Sequence, residues 1–204
     1  MKVCIIDYGV GNLASVQNAF TLLGVEAYIS SQAGDIREAE ALILPGVGSF
    51  EAGMNGLKQS GLTDVITEEV LTKKKKILGI CLGMQLFATT GFENGEYKGL
   101  GFIQGSVIKI DDTRENLRLP HIGWNDVTIV NDLCIGRGFE NPPIFYFVHS
   151  YHVVPDDPSI IAGYCQYGGQ LTVLIQKENI FGAQFHPEKS HSDGLQILRN
   201  FISC

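Results

Sequence analysis

Lys76-Ile77-Leu78-Gly79-Ile80-Cys81-Leu82-Gly83-Met84-Gln85 runs as an apolar strand, a cysteine with a glycine two residues to either side, and the opening of a helix. This is the cysteine form of a nucleophile elbow, a sharp strand-to-helix turn that lifts a reactive side chain above the end of a sheet. The glycines at 79 and 83 permit the turn, and a helix N-terminus beneath a thiol favours its thiolate. The Leu82 amide then points where an oxyanion would form. Working outward, the runs Val3–Ile6, Val25–Ile29, Ala41–Leu44 and Ile77–Ile80 are short, apolar and closed by Gly, Pro or Asp. Continuous apolar runs of this length suit strands buried on both faces. Leu13, Val16, Phe20 and Leu23 repeat at helical spacing up to Gly24, and Leu62, Ile66 and Val70 mark a second helix running into Lys73–Lys76. Strand–helix alternation implies a right-handed parallel sheet.

The second half reads differently. Phe102–Ile110, Val127–Val130, Ile144–Val148, Ile160–Cys165, Thr172–Ile175 and Ile180–Phe185 are strands joined by short turns, which suggests an antiparallel or mixed extension. Ser192–Ser203 closes the chain as a helix. The fold class expected is α/β, a three-layer sandwich with a mostly parallel central sheet and a mixed or antiparallel extension. A length of 204 residues fits one domain, 1–204, with a core of its own. No stretch is long and apolar enough for a membrane span, and no signal peptide opens the chain. The net charge of −7 argues against general nucleic-acid binding. The four lysines at 73–76 read as a solvated helix C-terminus. Five cysteines, widely spread and without CxxC, argue against a disulfide framework or zinc ribbon and for a reducing, cytoplasmic compartment. Cys4, Cys134, Cys165 and Cys204 take the ordinary reading of structural thiols.

A cysteine nucleophile needs a base and the base an orienter. Ala183-Gln184-Phe185-His186-Pro187-Glu188 supplies both: the strand delivers His186 to a sheet edge, and Glu188, two residues on along an extended segment, faces the same way. Leu44-Pro45-Gly46-Val47-Gly48 follows another strand and can turn a backbone amide toward a ligand. Other motifs weaken on inspection. Gly9-Val10-Gly11-Asn12-Leu13-Ala14 fits a dinucleotide turn, but Asp7 precedes it and the second strand lacks the ribose-binding acid. His186-Pro187-Glu188 opens a zinc-deaminase signature that no P-C-x-x-C completes. His149 and His152, three apart on a strand, point to opposite faces and make a poor metal pair.

Together, G-x-C-x-G-M-Q, P-G-x-G and F-H-P-E resemble the triad-type class I glutamine amidotransferases, which hydrolyse glutamine to glutamate and ammonia on a flavodoxin-like fold. Asp7-Tyr8-Gly9-Val10-Gly11-Asn12-Leu13, Pro120-His121-Ile122-Gly123-Trp124-Asn125, His149-Ser150-Tyr151 and Glu188-Lys189-Ser190 are similar to the histidine-biosynthetic branch of that family. The resemblance implies Cys81 as nucleophile, His186 as acid/base, Glu188 as orienter, and the Val47 and Leu82 amides as oxyanion hole. It implies Gly46, Gly48, Gln85, Glu93, His149, Ser150 and Tyr151 as glutamine contacts, and Asn12, His121, Trp124 and Lys189 as partner contacts. Neither a metal nor an organic cofactor is implied. The glutaminase domain occupies the whole chain, so the ammonia is expected to pass to a separate (β/α)8-barrel synthase subunit, giving imidazole glycerol phosphate and an aminoimidazole carboxamide ribonucleotide. The family's usual pair of acids after the elbow helix is here Phe92-Glu93. Three other readings compete: the same chemistry feeding a surface-polysaccharide sugar amidotransferase, a stand-alone cysteine hydrolase or peptidase, and a silent scaffold. Glu93 and His149-Ser150-Tyr151 argue for a free amino acid over a peptide, and the complete triad argues against a scaffold.

Overall fold

The computed structural model describes residues 1–113 and 117–204. The first half alternates as expected: β1 (Lys2–Ile6), α1 (Leu13–Leu22), β2 (Glu26–Ser30), α2 (Ala33–Glu38), β3 (Ala41–Gly46), α3 (Phe50–Ser60), α4 (Thr63–Thr67), β4 (Lys76–Cys81) and α5 (Leu82–Leu86). The second half is dominated by strands: β5 (Ala88–Gly91), β6 (Tyr97–Lys98), β7 (Ile103–Lys109), β8 (His121–Asp126), β9 (Thr128–Ile129), β10 (Ile144–His149), β11 (Tyr151–Pro155), β12 (Ile161–Gln166), β13 (Gln170–Lys177) and β14 (Ile180–Ala183), closed by α6 (His191–Ser203).

The main sheet runs β2-β1-β3-β4-β14-β13-β11-β7-β5-β6, with β12 and β9 built out from β13. In that order β2, β1, β3, β4 and β14 run parallel; β13, β11 and β7 each follow antiparallel to the strand before, and β5 then pairs parallel with β7 and antiparallel with β6. Hydrophobic cores form on both faces. Val16 and Phe20 of α1 pack with Ile197 and Phe201 of α6 on one side, and Ile36, Phe50, Leu57 and Ile66 pack on the other. This is the three-layer sandwich expected, and β3, with every residue buried, has the continuous apolar run that burial on two faces demands. Strands β8 and β10 pair apart as a two-stranded ribbon, His121 opposite His149, with Ile122, Trp124 and Ile144 exposed along it.

Four expectations are corrected. The helix through Leu62 and Val70 is α4 followed by a π-helical turn over Glu68–Thr72, ending before the lysines. Lys73 and Lys75 bind the buried Glu69 carboxylate at 2.6 and 2.7 Å. Lys75 also donates to Ile36 O and Arg37 O in the last turn of α2, and Lys76 to Ile202 O in the last turn of α6. Cations thus satisfy the orphan carbonyls of two other helices, where a solvated tail was expected. His186 does not leave a sheet edge: β14 lies between β4 and β13 in the sheet interior. Finally, Cys134 and Cys204 form a disulfide across a separation of 70 residues, while Cys4 and Cys165 are free and buried. Asn200 explains the juxtaposition. Its amide donates to Ile135 O and Arg137 O, at 2.9 and 2.8 Å, docking the end of α6 against the turn that carries Cys134. Among the described residues, no helix is long and apolar enough to cross a membrane.

Candidate active site

The β4–α5 junction places Cys81 at φ 54°, ψ −111°, a strained conformation for a residue with a side chain. Both flanking glycines are required by close approach. A Cβ at Gly83 would collide with the Leu44 carbonyl of β3, and one at Gly79 would lie 2.6 Å from the Met84 nitrogen. Strand β14 runs parallel to β4, with Ala183 level with Ile80, so the chain leaving β14 brings His186 to the same end of the sheet. There Pro187–Lys189 forms a 3₁₀ turn, not the extended segment expected, and the turn sets Glu188 Oε1 2.8 Å from His186 Nδ1. Burial opposes charge on His186. Its hydrogen bonds with Cys81 and Glu188, and their charges, outweigh that and hold the imidazole at about 10.

Cys81, Leu82, Gln85 and His186 line a cavity of about 300 Å³ together with Val47, Gly48, Glu93, His149, Ser150, Tyr151 and Lys189. Pro120 and Val148 also line it, and neither carries a chemical group that the sequence reading could single out. Gly46 does not line it. It ends β3 opposite Cys81, and the Tyr8 hydroxyl sits where its Cβ would be. Glu93 does double duty: its Oε2 accepts from the Phe50 N–H at 2.7 Å, capping α3 where Ser49 also caps, while the side chain borders the cavity.

Of the residues expected to face a partner, Asn12 and Trp124 are exposed, and Lys189 borders the cavity mouth over the Tyr146 ring. Trp124 stacks on His191 at 4.9 Å. His121 is the exception. Its ring is buried between Phe147 and Tyr167, with ring centroids at 4.7 and 3.9 Å. It belongs to a chain of hydrogen bonds whose direction is fixed at one end. The Tyr151 carbonyl can only accept, so His149 Nδ1, 2.9 Å away, carries the proton. His149 Nε2 therefore accepts from His121 Nδ1 at 3.0 Å. Burial pushes His121 down to about 4 and His149 down to about 3, so both rings are neutral as this chain requires. His149 and His152 are separated by the break at Ser150 and lie on different strands, β10 and β11.

Gln184 carries no reactive group by which the sequence could mark it. It is fully buried, its Oε1 accepts from Gln85 Nε2 at 2.9 Å, and its Nε2 lies 3.8 Å from Cys81 Sγ. The other cysteines are poor rivals to Cys81: burial pushes Cys4 and Cys165 up to about 12, and Cys134 and Cys204 are bridged.

The family model for class I glutamine amidotransferases matches residues 4–204. Imidazole glycerol phosphate synthase subunit HisH 1 of Campylobacter jejuni (strain RM1221) is 46% identical over 200 residues, covering 98% of each chain. Subunit HisH of Pelagibacter ubique is 44% identical over 207 residues, covering all of both. Among solved structures, a glutamine amidotransferase superposes with TM-score 0.77 at 19% identity over 98% of this chain and 97% of that one. PurLQS from Thermotoga maritima superposes with TM-score 0.74 at 18% identity over 99% and 97%. The sequence relatives and the shared fold, joined to a cysteine on a strained elbow beside a histidine–glutamate pair, make the chain a member of the class I glutamine amidotransferase family, in its branch of imidazole glycerol phosphate synthase HisH subunits.

Proposed function

We propose that Cys81, His186 and Glu188 form the triad that hydrolyses glutamine in this HisH-type subunit of histidine biosynthesis. One glutaminase domain, residues 1–204, would act in the cytoplasm as a heterodimer with a (β/α)8-barrel synthase subunit. The observation that carries this reading is the convergence of the Cys81 elbow and the His186–Glu188 pair on one cavity of about 300 Å³. The Cys81 thiolate attacks the side-chain amide carbon of glutamine, forming the S–C bond, and the carbonyl oxygen becomes an oxyanion facing the Val47 and Leu82 amides. His186 gives its proton to the amide nitrogen, the C–N bond breaks, and ammonia leaves a γ-glutamyl thioester. His186 then takes a proton from water, the hydroxide adds to the thioester carbon, and the S–C bond breaks to return thiolate and release glutamate. Gly48, Gln85, Glu93, His149, Ser150 and Tyr151 line the space the amino acid would fill. Glu93 offers a carboxylate to its ammonium group.

Val47 is exposed, between two glycines, so its peptide can rotate at little cost. The partner, docked on the ribbon that bears Trp124 and on Lys189 and Asn12, would set that peptide. Removal of one oxyanion donor costs roughly 10²–10³ in rate. Glutamine turnover by the isolated subunit is therefore expected to rise by at least about that factor when the barrel subunit and its ribonucleotide ligand are added. Full activity of the lone subunit, unchanged by partner and ligand, would refute the gating. Stimulation by a sugar-amidating synthase and not by the histidine-pathway barrel would reassign the acceptor.

A further inference from the structure

We infer that Gln184 is a further catalytic residue: its side-chain amide donates a hydrogen bond to the Cys81 sulfur and stabilises the thiolate. The inference rests on the assignment of Cys81 as nucleophile. Its strength lies in the fact that the orientation of the Gln184 amide is forced. Tyr151 O accepts from His149 Nδ1 and from Gln85 Nε2, each at 2.9 Å. A main-chain carbonyl has no proton to give, so the end of the Gln85 amide facing it must be NH₂. That same NH₂ faces Gln184 at 2.9 Å, so the Gln184 atom receiving it must be the carbonyl oxygen. The other end of the Gln184 side chain, 3.8 Å from Cys81 Sγ, is therefore NH₂. Turning the Gln184 amide over would set two NH₂ groups against each other, one of them on a fully buried side chain.

Besides His186, little else around the sulfur favours an anion. Helix α5, which begins immediately after Cys81, has only five residues, and its end charge is correspondingly small. The Val148 carbonyl also lies 3.8 Å from Sγ. That oxygen can accept from a thiol, but it opposes a thiolate. Gln184 has the opposite sign: its N–H dipole favours the anion and favours a neutral acylated sulfur much less. The donor therefore matters when the thiolate is formed and again when it must leave the tetrahedral adduct of the thioester. Gln184 is not among the residues that line the cavity, so it is expected to act on kcat more than on KM.

Two variants separate this role from a merely structural one. Gln184→Met fills the volume and loses both the acceptor for Gln85 and the donor for sulfur. Gln184→Glu keeps an acceptor for Gln85 and, when ionised, sets a negative oxygen against the sulfur. Three quantities would be measured on the full chain with its synthase partner present: glutamine kcat and KM, the second-order rate of Cys81 alkylation by iodoacetamide, and the pH profile of kcat. Both variants are expected to lose roughly 10- to 100-fold in kcat and to alkylate more slowly, with KM within a few-fold of wild type. Gln184→Glu should be the more impaired at high pH and should recover as pH falls and its carboxyl becomes a donor. If Gln184 only props Gln85, Gln184→Glu will match wild type in kcat and alkylation rate while Gln184→Met is impaired, and the inference is wrong. It is also wrong if both variants match wild type. Cys81→Ala in the same assay distinguishes the two levels of failure. Residual wild-type turnover in Cys81→Ala would remove the nucleophile assignment itself and this inference with it. Loss of turnover in Cys81→Ala beside unimpaired Gln184 variants would remove the Gln184 role alone.

Discussion

Cys81 differs from the other four cysteines in backbone and surroundings, not in residue type. It sits at φ 54° on the wall of a cavity, whereas Cys4 and Cys165 are sealed in the cores and held up to about 12 by burial. Thiolate character and access together set reactivity, so a glutamine-like electrophile is expected to modify Cys81 alone. Cys81→Ala should lower glutamine turnover by several orders of magnitude while leaving the far-ultraviolet circular dichroism and the unfolding midpoint close to wild type. Peptide mapping of the labelled protein and steady-state assays check the two halves of that statement. Adducts found on Cys4 or Cys165, or turnover that survives the substitution, would contradict the nucleophile assignment. Glu93 illustrates the opposite case. A single carboxylate caps α3 through the Phe50 N–H and borders the cavity, so its removal would disturb a helix end and a binding wall together.

At the level of elements, the β4–α5 elbow is held by contact between backbones. Gly83 packs so tightly on the Leu44 carbonyl of β3 that no side chain fits, and the clash partner is main chain in a fully buried strand, which has nowhere to move. Gly83→Ala is therefore expected to destabilise the protein by about 3 kcal/mol or to prevent its folding, at or beyond the upper end of overpacking costs. Gly34, in the exposed helix α2, has open space where a Cβ would go, and Gly34→Ala should be neutral or stabilising by up to about 1 kcal/mol. Urea unfolding of the pair is the measurement. Equal midpoints for the two variants would show that the elbow yields more readily than its geometry implies. The elbow was legible because its glycines have regular spacing and a physical cause. Helix α3 and strands β8 and β11 lack a periodicity that marks them in the sequence. Helix α3 contains Gly53 and Gly56, and one of its two N-terminal caps comes from Glu93, 43 residues away. Strand β8 carries polar and glycine residues at most positions and is held by pairing with β10.

At the scale of the whole molecule, the buried histidines link stability to pH. His121 and His149 titrate near 6.5 when unfolded and are held at about 4 and about 3 when folded. Their neutral forms are favoured by folding, so their contribution is complete above about pH 6.5 and is lost as pH falls toward 4 and 3. The loss is roughly 2 kcal/mol per histidine by pH 5. His186 works in the other window: raised to about 10, it contributes fully below about pH 6.5 and its contribution fades as pH rises toward 10. Denaturant midpoints should therefore drop between pH 7 and pH 5, and His121→Phe, which keeps a ring between Phe147 and Tyr167, should show a smaller drop. An identical pH dependence in the variant would exclude His121 as a source. These couplings were invisible in the chain, as was the Cys134–Cys204 bridge, because each depends on which distant segments meet. What the sequence determined by itself was local: apolar runs that must be buried on two faces, glycines that permit an elbow, and a cysteine, a histidine and a glutamate of the types that acyl transfer needs. Tertiary structure decided the rest. It placed β14 beside β4 so that His186 meets Cys81, folded Pro187–Lys189 into the turn that aims Glu188, and buried His121 where a docking residue was expected. It also set the amide of Gln184 by a chain of hydrogen bonds from Tyr151. The reason is physical: periodicity and turn chemistry act over a few residues, whereas burial, hydrogen-bond direction and electrostatic coupling depend on neighbours that only the folded chain brings together.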